Sequence, residues 1–429
     1  MKKNIISFLM GLVLVGCNSD SDEIIWEQTN LPNQSEGSVM YNVPLSKEQK
    51  SSISRNNDFA FNLFRVVSQS EYQKDKSLAL SPLSLTFAMG MLNAGATGQT
   101  SKEINSMLGL QDEDREAVNA LCKQLIEEVP RINKSVVLQM ANCVAIDNAL
   151  NLQESYQEQV NNSYHAEVLS LPFASHESVG YINDWCSRNT NGMIPRIIDQ
   201  LSGVLALVNA VYFDAPWTHK FQKALTKSEN FTKEDKSQVT LPMMHTEYRY
   251  DYMQDDDFSA ISMPYGDGEN WKMYVLLPHI DKTTTEDVIN GLTEARWNKV
   301  LSSFERNRQD GVPPMIDVKL PSFEIKTSMD LNGCIKQLGA TSMFLPQNEL
   351  TEICNNKDLM VNLVKQNVAM EVYEDGTKAS AATAIVMDVA SLNNKTTPVA
   401  KFYANHPFVY LIQEASSGAI IFIGKYNGD

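Results

Sequence analysis

Residues 368–387 read VAMEVYEDGTKASAATAIVM. The first six are strand-like; the rest has no proline, little bulk and a single lysine. As an extended chain, Thr377, Ala379, Ala381, Thr383, Ile385 and Met387 would share one face. Lys378, Ser380, Ala382, Ala384, Val386 and Asp388 would share the other. The first face is uncharged and can be buried, whereas the second tolerates Lys378 and Asp388. A surface linker of small residues is the plainer reading, but a linker needs neither this alternation nor a closing Ile385-Val386-Met387. The pattern suits a segment that can enter a sheet as an added strand.

Outward from it, 408–413 and 419–425 read as strands joined by a hairpin turn over 414–418. Further back, 136–146 is rich in β-formers, while 204–213 (VLALVNAVYF) and 271–278 are nearly unbroken apolar runs. Such runs are buried on both faces, which requires a large layered domain. Helical spacing appears over 56–70, with Phe59, Leu63, Val66 and Val67 on one face. Ser81-Pro82 opens a second helix, lined by Leu85, Met89 and Leu92 and closed by Gly95 and Gly98. Residues 101–109, 112–129, 285–304 and 328–338 also read as helices. Helices dominate early and strands late, an α+β pattern.

The chain has 429 residues, 43% hydrophobic and 21% charged, with a formal charge of −16. This is a globular composition, and no linker divides it after about residue 55. Such acidity argues against nucleic acid and anionic surfaces as partners. The run Asp255-Asp256-Asp257 lacks the spaced oxygen ligands of a calcium loop and reads as solvated surface. Besides Cys17 there are five cysteines, 122, 143, 186, 334 and 354, an odd number without paired spacing. They are expected to be buried free thiols, with no disulfide framework, zinc site or other metal site. No GxSxG, P-loop or HExxH motif is present, so neither catalysis nor a cofactor is expected.

The N-terminus reads MKKNIISFLMGLVLVGC. Two lysines precede an apolar stretch too short to span a bilayer, as in a cleaved signal. Leu14-Val15-Gly16-Cys17 resembles a bacterial lipobox, implying a signal peptide over 1–16 and lipidation of Cys17. The acidic start at 18–23 resembles the export signals of surface lipoproteins in Bacteroidetes-type bacteria. Residues 17–55 would form a polar tether with a reach of roughly 30–35 Å. The expected location is the bacterial outer membrane, lipid-anchored and exposed at the cell surface.

Six segments in order resemble the serpin family: 78–104, 182–194, 207–221, 318–344, 368–387 and 402–425. Together they span about 56–427. The resemblance implies a single serpin domain over 56–429, with about nine helices, three β-sheets and a reactive loop at about 376–399. It implies a monomeric suicide-substrate inhibitor whose partner is a serine protease. The protease attacks the loop and forms an acyl-enzyme; the cleaved loop then enters the main sheet and traps it. About a dozen inserted residues, each adding net 0.5–1.5 kcal/mol per ladder bond, could release on the order of 10–20 kcal/mol with burial. The starting fold is then kinetically trapped.

The hinge would be Glu374, Asp375, Gly376 and Thr377, followed by Ala379, Ser380, Ala381, Ala382 and Thr383, small enough to insert quickly. Gly376 would supply backbone freedom, and a charge at Thr377 would block entry. Counting from Gly376 as in the family places the reactive bond at Ala390–Ser391. Alanine suits elastase- or subtilisin-like pockets. The stretch from Ser391 to Phe402 is longer than usual, which keeps Met387 and Lys395 as alternatives, the latter redirecting inhibition to trypsin-like enzymes. Ser81, Ser84 and Asn209 match the family's polar cluster under the main sheet, with Gln366 where a histidine is usual. Ser81 could equally be a plain helix cap. Trp185 matches the tryptophan near the sheet top where insertion begins. The acidic 111–128 segment argues against heparin-type polyanion activation. A non-inhibitory serpin acting as a binding or carrier module is the rival.

Overall fold

The computed structural model describes residues 41–429 except 72, 112–113, 347, 357–358 and 379–397. The chain divides into two units, Met1–Val39 and Met40–Asp429, and every described helix and strand belongs to the second. Among the described residues there are nine α-helices: α1 (Lys47–Ser68), α2 (Pro82–Ala94), α3 (Gly98–Met107), α4 (Arg115–Glu128), α5 (Glu154–Tyr164), α6 (His176–Asn189), α7 (Thr285–Gly291), α8 (Glu294–Arg306) and α9 (Asn332–Gln337). The strands begin with β1 (Leu78–Leu80), β2 (Val137–Asp147), β3 (Glu167–Leu171), β4 (Leu205–Pro216), β5 (Lys227–Thr232), β6 (Gln238–Arg249), β7 (Asp251–Gln254) and β8 (Phe258–Tyr265). They continue with β9 (Trp271–Pro278), β10 (Met315–Pro321), β11 (Phe323–Asp330), β12 (Leu363–Tyr373), β13 (Gly376–Lys378), β14 (Ala400–Tyr403), β15 (Phe408–Glu414) and β16 (Ile420–Tyr426).

Three sheets result, in the orders β11-β12-β13-β4-β2-β3, β1-β16-β15-β9-β8-β7 and β14-β10-β6-β5. The first, the main sheet, is buried on both sides along β4, as its unbroken apolar sequence requires. Leu205, Leu207, Val211 and Phe213 face the core that contains α2 and the second sheet, while Ala206, Val208 and Ala210 face a smaller cluster under α6. Phe213 touches Trp271 and Phe422, and Phe323 touches Tyr410 and Tyr426, so aromatic rings fill the space between those two sheets. The α+β class and the three-sheet architecture are as expected.

Several boundaries differ from the sequence reading. The helix α1 starts at Lys47, inside the stretch expected to be tether, because Ser46 and Gln49 form a capping box and Ile53 is buried. Residues 285–304 make two helices, broken after Gly291 where Thr293 caps the second. The helix expected over 328–338 is shorter: β11 runs to Asp330 with strict buried–exposed alternation, and only Asn332–Gln337 is helical. Gly95 does end α2, but Gly98, at φ +52°, opens α3. Cysteines 122, 143, 186, 334 and 354 are all unpaired. Burial pushes the thiols of Cys122 and Cys186 up to about 12, so they stay protonated.

Candidate functional site

The main sheet contains a gap. Over Leu363–Val368, β12 pairs directly and in parallel with β4, from Ala206 to Val211. Above that, the two strands part and β13 lies between them, antiparallel to both. Tyr373 opposes Gly376, Val372 opposes Thr377 and Glu371 opposes Lys378; on the other edge Gly376 opposes Pro216 and Thr377 opposes Ala215. The start of the expected reactive loop is therefore already a short strand within the sheet.

Every described hinge residue is held. Thr377 has no exposed surface, and its hydroxyl lies 2.5 Å from the Tyr265 hydroxyl. Burial drives the Tyr265 phenol well above its usual range, so it remains a neutral hydrogen-bonding group. Tyr265 stacks on Trp217 at 4.3 Å and 11°, and meets Phe213 edge-on at 5.5 Å. Trp217 binds the turn twice: its indole nitrogen donates to the Tyr373 carbonyl and its backbone nitrogen to that of Asp375, both at 2.9 Å. The Phe221 backbone nitrogen donates to the Glu374 carbonyl at 3.0 Å, and the Thr226 hydroxyl donates to the Glu374 carboxylate at 2.6 Å. Asp375 faces Lys223 at 2.9 Å and Lys220 at 3.4 Å. The Lys223 ammonium foremost holds the Asp375 carboxyl below the usual carboxylate range.

Gly376 is needed for a different reason from the one read in the sequence. It is absent from the positive-φ residues, but a Cβ there would lie 2.1 Å from the Ala215 carbonyl oxygen and 2.7 Å from the Pro216 Cα. Space, not a special dihedral, excludes a side chain.

Lower down, where β12 and β4 touch, a buried row of amides crosses the sheet. Gln366 opposes Asn209, which opposes Asn142 on β2. From α2, the Ser84 hydroxyl donates to the Asn209 carbonyl oxygen, whose amide nitrogen donates to Asn142 at 2.8 Å. Gln366 grips the Ser81 backbone with both ends, accepting from its nitrogen at 3.1 Å and donating to its oxygen at 2.9 Å. Ser81 sits at the N-cap without capping, and its buried hydroxyl finds no partner among the described residues. Of the expected cluster, Ser81, Ser84, Asn209 and Gln366 thus come together.

Trp185 does not join the hinge. It lies on α6, in the apolar cluster on the opposite face of the main sheet from α2, and Trp217 occupies the position expected of it. Sequence reading also missed Asn142 and Tyr265. Asn142 is detectable as an amide inside an otherwise apolar strand run; Trp217 sits just after β4 ends. Tyr265 leaves no local signal, since 112 residues separate it from Thr377. Ala379, Ser380, Ala381, Ala382 and Thr383, the bond Ala390–Ser391, its alternatives Met387 and Lys395, and Cys17 lie outside the described residues.

A six-stranded sheet with a loop base wedged between two of its strands defines a class of protein able to take up a strand. A family model described as Serpin (serine protease inhibitor) matches residues 54–428, and the chain belongs to the serpin family. Human neuroserpin is 27% identical over 368 residues, covering 82% of this chain and 86% of its own length. The leukocyte elastase inhibitor of Sus scrofa is 29% identical over 382 residues, covering 86% and 97%. The crystal structure of human thyroxine-binding globulin complexed with thyroxine superposes with a TM-score of 0.78 at 25% identity, covering 88% and 98%. Serpins are mostly inhibitors rather than catalysts.

Proposed function

We propose that this serpin is a suicide-substrate inhibitor of serine proteases with small primary pockets, of the elastase or subtilisin kind. The observation that carries this reading is Thr377, fully buried between β12 and β4 before any cleavage. From that seat, insertion can start without a search. The Ala390–Ser391 bond supplies the small residue for the pocket, and the likeness to an elastase inhibitor supports the same class. Cleavage frees the loop to extend β13, replacing one ladder between β4 and β12 with two. Lipidation at Cys17 would hold the inhibitor on the bacterial outer membrane; radiolabelled palmitate incorporation, lost in Cys17→Ala, tests that part.

Incubation with pancreatic elastase should give an SDS-resistant complex at near-equimolar ratio. Cleavage into two fragments without complex, at every ratio and with every serine protease tried, would overturn the proposal. The likeness to thyroxine-binding globulin favours a second reading, a carrier without inhibitory action. A chain nicked in its loop that melts no higher than the intact chain would select that reading.

A further inference from the structure

We propose that His245, Glu247 and Asp317 bind one divalent transition-metal ion of the zinc class on the four-stranded sheet. His245 and Glu247 are two residues apart on β6 and share a face, and Asp317 on β10 stands directly opposite Glu247. One ligand atom from each lies within 4.8 Å of the others, and His245 Nε2 is 2.9 Å from Asp317 Oδ1. Tetrahedral zinc ligands at about 2.0–2.1 Å from the ion sit roughly 3.4 Å apart. Closing around an ion therefore needs side-chain shifts of about 1 Å, which the exposed Glu247 can supply.

Two features beyond the cluster point to a cation. Carboxylates directly opposite on one face repel, and among the described residues neither Glu247 nor Asp317 is ion-paired to a lysine or arginine. Lys319, opposite His245, pairs its ammonium with the two Glu229 oxygens at 2.7 and 2.8 Å, and the same ammonium lies 5.0 Å from the Tyr403 ring centre. Lys401, opposite Asp317, holds its ammonium 5.6 Å from the Tyr403 ring centre. In addition, the Tyr403 hydroxyl donates to Asp317 Oδ2 at 2.5 Å, the outer-sphere contact that aims the other oxygen. With an aspartate side chain only 13% exposed, the site offers one imidazole, two carboxylates and a position for water. That donor set suits zinc, cobalt or nickel; calcium and magnesium prefer oxygen ligands alone.

Tyr403 belongs to β14, an edge strand that among the described residues pairs only with β10, over Ile316–Lys319, and begins where the loop returns. An ion on Asp317 would fasten that edge strand.

Calorimetric titration of the full-length protein with zinc, before and after EDTA treatment, tests the site. One ion per chain is expected, with at least tenfold weaker binding in Glu247→Gln, no saturable binding in His245→Ala, and a visible d–d spectrum when cobalt replaces zinc. Glu247 is exposed, so its variant should keep the metal-free melting temperature and decides the matter alone if His245→Ala fails to fold. Absence of one-to-one binding to the unmodified protein, or unchanged affinity in Glu247→Gln, overturns the proposal.

Discussion

The same two strands, β4 and β12, behave differently along their length. In the lower half they pair directly through six residue pairs, with the Asn209 side chain bonded to Asn142 and that of Gln366 to the Ser81 backbone. In the upper half they are held apart by Gly376–Lys378. For the proposed insertion the barrier would sit low in the sheet, since the top already carries two ladders where the bottom carries one. Each ladder bond is worth net about 0.5–1.5 kcal/mol. Under that proposal the lower half would have to lose its direct bonds before a double set could form, a costly opening.

Four variants break or sharpen that contrast. The largest effect belongs to Thr377→Arg, which would place an unpaired charge in a site with no exposure. The SDS-resistant complex should vanish and the number of inhibitor molecules used per protease should rise more than tenfold. Trp217→Ala removes the stack on Tyr265 and the indole bond to Tyr373, and should cost about 3–5 kcal/mol in thermal unfolding. Hydrogen exchange at 376–378 should rise with it; protected amides would show that the hinge holds without Trp217.

A milder test acts on the lower half. Gln366 cannot titrate, so opening through that row should be flat between about pH 5 and 8. Gln366→His would make it acid-sensitive. Burial lowers a histidine's folded pKa below the unfolded value near 6.5, so stability would be lost as pH falls below about 6.5. A pH-independent melting temperature in the variant would show that the row does not hold the strands together. Smallest is Lys220→Ala combined with Lys223→Ala, because both ion pairs with Asp375 are largely exposed. The Asp375 carboxyl is held low, so its contribution is present at neutral pH and lost only as pH drops below about 4. The double variant should return that carboxyl to the ordinary range by NMR titration while barely moving the melting temperature.

Much of the sheet framework was readable because burial on both faces leaves an unbroken apolar record, as in 204–213 of the main sheet and 271–278 of the second. The alternation in 377–387 likewise announced a segment fit to enter a sheet, and Thr377 sits as that pattern requires. Local signals were harder to weigh. The Ser46–Gln49 capping box is present in the sequence but lies in a polar stretch, and the end of the alternating strand Phe323–Asp330 reads locally as the start of a helix. What holds the hinge was not legible, because Trp217 and Tyr265 reach Tyr373 and Thr377 from elements distant in sequence. A lone tryptophan gives no address, which is why Trp185 can be mistaken for Trp217.

The turn between β12 and β13 also acts as a ruler. Tyr373 faces Gly376 across only Glu374 and Asp375, and over Gly376–Lys378 each step along β13 matches one step down β12. A slip of one residue would turn every side chain to the wrong face, so the count is fixed at the turn. Continued in that register, Val386 would reach Leu363, at the far end of β12. Cleavage after Ala390 would leave four residues to reach the captured protease, a span of at most about 14 Å. Cutting after Met387 would leave one residue and after Lys395 nine, so under the proposed mechanism the choice of bond would set the length of the leash holding the protease.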